Sequence, residues 1–420
     1  MSEFTPKSPA LQALQERGFI DAMTDAKAID DAFAAGMVTF YVGYDPTASS
    51  LHAGSLTCIM VQRLLQRLGH KPVVLLGGGT ARVGDPTGRS ESRKMLDDTT
   101  LAHNVAGIRR NFDGYLHFES GAPNDAVLVD NADWLCGLHY LQFLREIGSQ
   151  FTVNRMIAAK TYRDRLDNEQ PLSFLEFNYQ LLQAYDFVHL YRELGCTMQL
   201  GGSDQWGNMV AGTELIRRVI EGPSRAQALT WPLLLTSDGR KMGKTADGAV
   251  WLDPAQCSPF EYYQYWLSCH DNDVRTHLLK YTDVPVEEVD ELSKAQGSAL
   301  REVKARLAQE ATALAHGREA ADAASKASKQ AFGGGDDWSA VPAVKLDAAS
   351  IGLLELVVDS RVAAFKSKRE ARARIEAGAV KVGGQPIKDV GHVLEAADFE
   401  EGTVRLQAGK KIRFRIVLKP

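Results

Sequence analysis

No C-x-x-C pair occurs in this chain; its five cysteines, Cys58, Cys136, Cys196, Cys257 and Cys269, stand singly. Neither a disulfide framework nor a cysteine-rich zinc site is expected from that spacing, and a reducing cytoplasm is the expected location. No apolar run approaches the roughly 18 to 20 residues that a membrane-spanning helix needs, so no membrane association is expected. Residues 1–18 lack the basic start and apolar stretch of a secretory leader, and none is expected. No internal repeat is visible, and no metal-ligand cluster stands out.

What is present is a chain of ordinary globular composition, with 45% hydrophobic and 24% charged residues. At 420 residues it is long enough for two or three domains. The net charge of -5 hides an asymmetry. Residues 355–420 carry 14 Lys and Arg against 9 Asp and Glu, a net of +5, so the remainder carries -10. A basic tail on an acidic body suits contact with a polyanion, although a solvated charged face would look the same by charge alone.

The first two-thirds alternates short apolar runs with helical patterns. Val38–Gly43 reads as a strand and Leu51–Leu68 as a helix closed by Gly69. Pro72–Leu76 reads as a second strand, ending in Gly77-Gly78-Gly79. Strand, helix and strand in that order predict a parallel α/β sheet, with ligands bound at the carboxyl ends of its strands. Residues 256–332 read as helical, 333–350 as a linker with a Gly333-Gly334-Gly335 run, and 351–420 as a small basic domain. The catalytic part is then expected in residues 1–255.

Tyr41-Val42-Gly43-Tyr44-Asp45-Pro46-Thr47 leads into His52-Ala53-Gly54-Ser55. Gly43 lets backbone approach a ligand. Ser49 and Ser50 are expected to cap the helix, and His52 to stand in its first turn, where N–H groups and the helix dipole attract phosphate. A second motif, Lys241-Met242-Gly243-Lys244-Thr245, puts two cations three residues apart on a glycine-containing loop, about 190 residues further on. Such a loop can neutralise a leaving pyrophosphate, a contact made chiefly in the transition state. Each motif alone is weak, since a capped helix and a basic hairpin are common. The first resembles the H-I-G-H signature of class I aminoacyl-tRNA synthetases, with Ser55 in place of the second histidine. The second resembles their K-M-S-K-S loop, in the K-F-G-K-T form typical of tyrosyl enzymes.

Two longer strings carry a more specific resemblance. Ser173-Phe174-Leu175-Glu176-Phe177-Asn178-Tyr179-Gln180-Leu181-Leu182-Gln183-Ala184-Tyr185-Asp186-Phe187 and Gln199-Leu200-Gly201-Gly202-Ser203-Asp204-Gln205-Trp206-Gly207-Asn208 are similar to the substrate-binding segments of bacterial tyrosyl-tRNA synthetases. Tyr179, Gln183 and Asp186 recur at i, i+4 and i+7 and so share a helix face. The resemblance implies that Tyr41 and Asp186 hold the tyrosine phenol. It implies that Asp85, Tyr179 and Gln183 hold the ammonium group and Gln205 the carboxylate. Gly43, Asp45, Ser55, Gly202, Asp204 and Lys244 would bind ATP. His52, Thr47, Lys241, Lys244 and Thr245 would do the catalytic work on its phosphates. Gly84-Asp85-Pro86-Thr87-Gly88-Arg89-Ser90-Glu91-Ser92-Arg93 is similar to the family's basic loop, with Arg89 and Arg93 set to meet pyrophosphate or the tRNA end.

In the tail, Lys368, Arg369 and Arg372 fall on one helical face, and Val380–Ile387 reads as a hairpin carrying Lys381. The segment resembles a small RNA-binding domain found at the C-terminus of these enzymes. Taken over the whole chain, the resemblance implies a Rossmann-like catalytic domain, a helical tRNA-contacting domain and an α+β RNA-binding domain. It also implies tyrosine, tRNA(Tyr), a homodimer, and ATP with Mg²⁺ carried by the nucleotide. Two other readings remain open at this point: a tryptophanyl-tRNA synthetase, and a non-catalytic RNA-binding protein on the same scaffold.

Overall fold

The computed structural model describes residues 4–87, 96–234, 237, 242–245, 248–332, 343–346, 350–359, 361–362, 364–365, 367–399, 402–409 and 412–418. A six-stranded sheet is built from β1 (Ala22–Met23), β2 (Thr39–Tyr44), β3 (Lys71–Leu76), β4 (Val127–Asp130), β5 (Met198–Gly202) and β6 (Gln227–Trp231), in the order β1-β6-β5-β2-β3-β4. β2 to β6 run parallel and β1 is the antiparallel edge. The central strands read as nearly continuous apolar runs because helices cover both faces. Phe40, Tyr41, Val42, Val73, Val74, Leu75 and Leu76 are all buried.

The chain leaves β2 towards β3 and β4 on one side, then returns to lay β5 and β6 on the other. The point of reversal therefore lies between β2 and β5, where α/β sheets bind ligands. Register sharpens this. β2 and β3 pair along Thr39–Tyr44, and β5 and β6 along Met198–Gly202. Between β2 and β5, however, only Phe40↔Met198 and Tyr41↔Gln199 pair. The carboxyl halves of these two strands diverge and leave a crevice.

The expected helix Leu51–Leu68 opens with a 3-10 turn, Ala53–Ser55, before the α-helix Leu56–Arg67. Ser49 and Ser50 do not cap it. Ser50 Oγ donates to Leu51 O and Asn111 Oδ1, and Ser49 Oγ accepts from Gln256. His52 takes the capping role, its Nδ1 accepting the Gly54 N–H at 2.9 Å.

Helices Pro259–Leu267, Val274–Tyr281, Val286–Leu292, Ala299–His316 and Arg318–Phe332 follow. The first starts on a capping box between Ser258 and Glu261. These helices do not build a core of their own. Tyr262, Trp266, Leu278 and Leu307 belong to the same buried cluster as Phe40, Ile59 and Leu76. Arg63 forks onto Asp283, and Thr57 Oγ1 meets Tyr281 OH at 3.0 Å. The change at residue 256 is thus one of secondary structure more than of core.

The small C-terminal unit has a five-stranded sheet with its own core, including Leu353, Leu356, Ala371, Ile375, Leu406 and Ile416. Its edge strand is Ala343–Leu346, paired in parallel with Ile412–Leu418. This corrects the expected linker 333–350. The alternation in Ala343-Val344-Lys345-Leu346 buries Val344 and Leu346, a strand signal that the neighbouring Gly and Pro residues obscured. The expected hairpin is present, Val380–Val382 against Gln385–Ile387. Gly383 and Gly384 turn it with φ of 56° and 88°, values open to glycine. Lys368, Arg369, Arg372 and Lys381 are exposed. Among the described residues no helix is long and apolar enough to cross a membrane.

Three buried or half-buried histidines make the fold sensitive to acid. Burial pushes His70, His277 and His316 down to about 4. His70 Nδ1 accepts the Val38 N–H, which requires the neutral ring. An unfolded chain would take up protons on these rings as pH falls through about 6.5, and the folded chain would not. Stability is therefore expected to be complete above that pH and to be lost progressively towards pH 4. For His277, the most deeply buried of the three, the loss is on the order of 3 kcal/mol. Thermal unfolding followed across this window checks it; a flat midpoint would show that the rings titrate normally.

Candidate active site

Tyr41 rises from β2 beside the crevice. It is 1% exposed, its ring 5.3 Å from that of Phe187. Its hydroxyl is buried and has no hydrogen-bond partner among the described residues. Such orphans are rare in folded proteins and call for an explanation. Burial, with the nearby charge of Asp186, pushes the phenol well above its ordinary range, so it is a neutral O–H.

Asp186 lies on the helix Tyr179–Leu194 and is 1% exposed. Burial pushes its carboxyl up to about 8, while two donors pull the other way. Trp134 Nε1 donates to Oδ1 at 2.8 Å and Asn131 Nδ2 to Oδ2 at 2.9 Å. Donors of this kind favour the charged form.

From Asp186 a hydrogen-bonded chain runs past the carboxyl ends of β4, β3 and β2 to Tyr179. Asn131 Nδ2 also donates to Thr80 Oγ1 at 3.1 Å, and Thr80 Oγ1 donates to Asp45 Oδ1 at 2.9 Å. Asp45 Oδ2 accepts from Tyr179 OH at 3.1 Å. Asp45, expected among the nucleotide contacts, is thus bonded to a residue of the expected amino-acid set. A second group forms nearby. Gln205 Nε2 donates to Asp85 Oδ2 at 2.8 Å, Asn208 Nδ2 donates to Gln205 Oε1, and the Thr87 N–H donates to Asp85 Oδ1. Gln183 is half-buried on the face of Tyr179 and Asp186.

The remaining expected residues line the open side. Gly43 is the last residue but one of β2 and is exposed; Thr47 is exposed, its N–H bonded to Asp45 O. Gly202 ends β5, and exposed Asp204 stands in the 3-10 turn that follows. Ser55 precedes the helix Leu56–Arg67 without a side-chain cap bond.

The two signature motifs touch. The Ala53 N–H donates to Val250 O, the Leu252 N–H to Leu51 O, and His52 bridges Trp251. Gly243 has φ 78°, and a side chain there would collide with the backbone nitrogen of Gly54. A Cβ on Gly54 would lie 2.7 Å from Met242 O. Both glycines are needed for the lysine loop to sit on the first motif. Tyr265 OH accepts the Gly243 N–H at 3.2 Å. Lys244 and Thr245 form a short strand paired with Gly248–Ala249. Lys241, Arg89 and Arg93 lie outside the described residues. Among the described residues no group of three or more His, Cys, Asp or Glu could hold a metal ion.

Sequence reasoning did not find Asn131, Trp134 or Thr80. Asn131 and Trp134 follow the carboxyl end of β4, and Thr80 that of β3; that position is the one signal that could have pointed to them.

Residues 34–333 match the family described as tRNA synthetases class I (W and Y), and residues 336–416 match the tyrosine–tRNA ligase SYY-like C-terminal domain. The chain is 47% identical over 411 residues to the tyrosine–tRNA ligase of Zymomonas mobilis subsp. mobilis, covering 98% of each chain. It is 46% identical over 416 residues to that of Rhizobium meliloti, again covering 98% of each. A C-terminally truncated mitochondrial tyrosyl-tRNA synthetase from Aspergillus nidulans superposes with a TM-score of 0.69 at 29% identity, covering 78% of this chain and 95% of that one. By these likenesses the chain belongs to the class I (W and Y) tRNA synthetases, in the tyrosine–tRNA ligase family.

Proposed function

We propose that the chain joins L-tyrosine to ATP as tyrosyl-adenylate, releasing pyrophosphate, and then passes the tyrosyl group to the terminal ribose of tRNA(Tyr). The observation that carries this reading is the buried Tyr41 hydroxyl, without a partner, beside the Asp186 carboxylate. A substrate phenol can accept from the one and donate to the other. Phenylalanine would leave the buried Tyr41 hydroxyl unpaired and offer Asp186 no donor beyond Asn131 and Trp134, which is costly. A site built to hydrogen-bond a substrate hydroxyl rejects the analogue that lacks it, because its own buried polar groups then go unmatched.

Tyr179, Asp85 and Gln183 hold the substrate ammonium, and Gln205 orients its carboxylate. That carboxylate, already ionised, attacks the α-phosphorus, and the bond to the β-phosphate oxygen breaks, so no general base is needed. Gly43, Asp45, Ser55, Gly202 and Asp204 seat the nucleotide, Asp204 through the ribose hydroxyls. His52, Thr47, Lys241, Lys244 and Thr245 meet the charge that builds on the leaving pyrophosphate. Mg²⁺ carried on the phosphates would add to that neutralisation.

The basic face of Lys368, Arg369, Arg372 and Lys381 is read as a track for the tRNA backbone. Removing residues 351–420 is expected to leave pyrophosphate exchange within about twofold and to raise the KM for tRNA at least tenfold, a loss of uniform binding. Full charging by the truncated chain would discard the tail from the account.

A homodimer is supported by apolar side chains left in solvent between residues 140 and 175. Leu141 is 80% exposed and Phe174 69%, large apolar side chains of the kind that interfaces cover. Sedimentation at micromolar concentration is expected to give the mass of two chains; a single-chain mass contradicts it. We infer a cytoplasmic location from the translation chemistry.

A further inference from the structure

We propose that His189 is a positioning residue for tyrosine selection, its imidazole clamping the indole of Trp134 that holds Asp186. Trp134 is partly buried against the hydrophobic cluster that contains Tyr41 and Phe187, but its own backbone holds the plane of the indole only weakly. Trp134 sits on a helix of four residues, Ala132–Leu135. Exposed Asp133, Cys136 and Gly137 flank it. A helix this short has little stability of its own. Yet Trp134 Nε1 must stay 2.8 Å from Asp186 Oδ1 to keep donating to it.

The His189 ring supplies the missing constraint. It lies face to face with the indole, ring centroids 4.1 Å apart and planes 19° from parallel. His189 follows Asp186 by three residues on the same rigid helix, so the two point along one side of it. One helix therefore presents both the carboxylate and the plate against which its donor rests. Burial lowers the His189 pKa, which leaves a neutral ring suited to stacking.

The consequence falls on the substrate phenol. When both oxygens of Asp186 have fixed donors, the lone pair facing the crevice has one direction, and only a phenol can satisfy it. When the indole can swing away, the carboxyl can turn, and phenylalanine is no longer rejected as sharply. Since this contact is made alike in ground and transition states, its loss should appear in KM and not in kcat.

The proposal rests on Asp186 as the phenol acceptor, so the test includes Asp186→Asn as a control. Pyrophosphate exchange is measured with tyrosine and with phenylalanine for the full-length native chain, His189→Leu, His189→Phe and Asp186→Asn. Leucine fills the volume without a planar face; phenylalanine restores the face without the imidazole nitrogens. His189→Leu is expected to raise the tyrosine KM about fivefold or more and to narrow the tyrosine-over-phenylalanine ratio about tenfold, with kcat and the ATP KM within about twofold. His189→Phe is expected to match the native chain. Equal behaviour of the Leu and Phe variants, whether both native or both impaired, overturns the proposal, as does a change confined to kcat. If Asp186→Asn leaves the tyrosine KM unaltered, the reading of Asp186 itself has failed, and that outcome is told apart from a failure of His189 alone.

Discussion

Asp186→Asn is expected to lower kcat/KM for tyrosine in pyrophosphate exchange on the order of a thousandfold, with the ATP KM changed by no more than a few fold. The substitution keeps the shape of the side chain and removes its charge. In the native chain both carboxylate oxygens accept, one from Asn131 and one from Trp134. An amide has a single accepting oxygen, so one of those donors would face an N–H group in a fully buried position. The phenol would lose a charge-assisted hydrogen bond, the strong kind. Each defect costs about 1 to 3 kcal/mol when buried, and together they reach the stated loss. The pH profile adds a second reading. Burial holds the Asp186 carboxyl up to about 8, so native kcat/KM for tyrosine should climb as pH rises towards that value, and this climb should vanish in the Asn variant. Retention of full tyrosine activity by Asp186→Asn would remove the phenol contact from the mechanism.

Gly243→Ala is expected to slow adenylate formation about a hundredfold while leaving tyrosine binding within about twofold. Two effects act together. At φ 78° an L-residue is strained, and the new Cβ would run into the backbone nitrogen of Gly54, which cannot yield as a flexible side chain could. The loop must then back away from the first motif, and a displacement of about 1 Å can cost 10²-fold in rate. Tyrosine is spared because Tyr41, Asp186 and Tyr179 lie on β2 and on the helix Tyr179–Leu194, elements that the loop does not support. Single-turnover rates at saturating tyrosine and ATP, with equilibrium dialysis for tyrosine, separate the two quantities. A native rate would mean that contact between the two motifs is not needed for chemistry.

Much of this arrangement could be read from the chain because its signals are local. Alternation, a closing glycine and a strand–helix–strand order were enough to expect the parallel sheet around Val38–Gly43 and Pro72–Leu76. The face shared by Tyr179, Gln183 and Asp186 follows from helix periodicity alone. What could not be read depends on contacts distant in sequence. Asn131 and Trp134 stand more than fifty residues from Asp186, and nothing in Asp130-Asn131-Ala132-Asp133-Trp134 announces a partner. The joining of Asp45 to Tyr179 is equally non-local. Ser49 and Ser50 were mistaken for caps because capping preference is statistical, and here Asn111, Gln256 and Asp253 had the stronger claim on them. The strand Ala343–Leu346 was missed because the parallel partner that makes it a strand, Ile412–Leu418, lies at the far end of the chain.

The most direct test is ATP–pyrophosphate exchange with each of the twenty amino acids in the absence of tRNA. The account predicts exchange with tyrosine and none above background with phenylalanine or tryptophan. Exchange with no amino acid, or with phenylalanine as readily as tyrosine, would contradict the assignment of the buried Tyr41 hydroxyl and the Asp186 carboxylate to the substrate phenol.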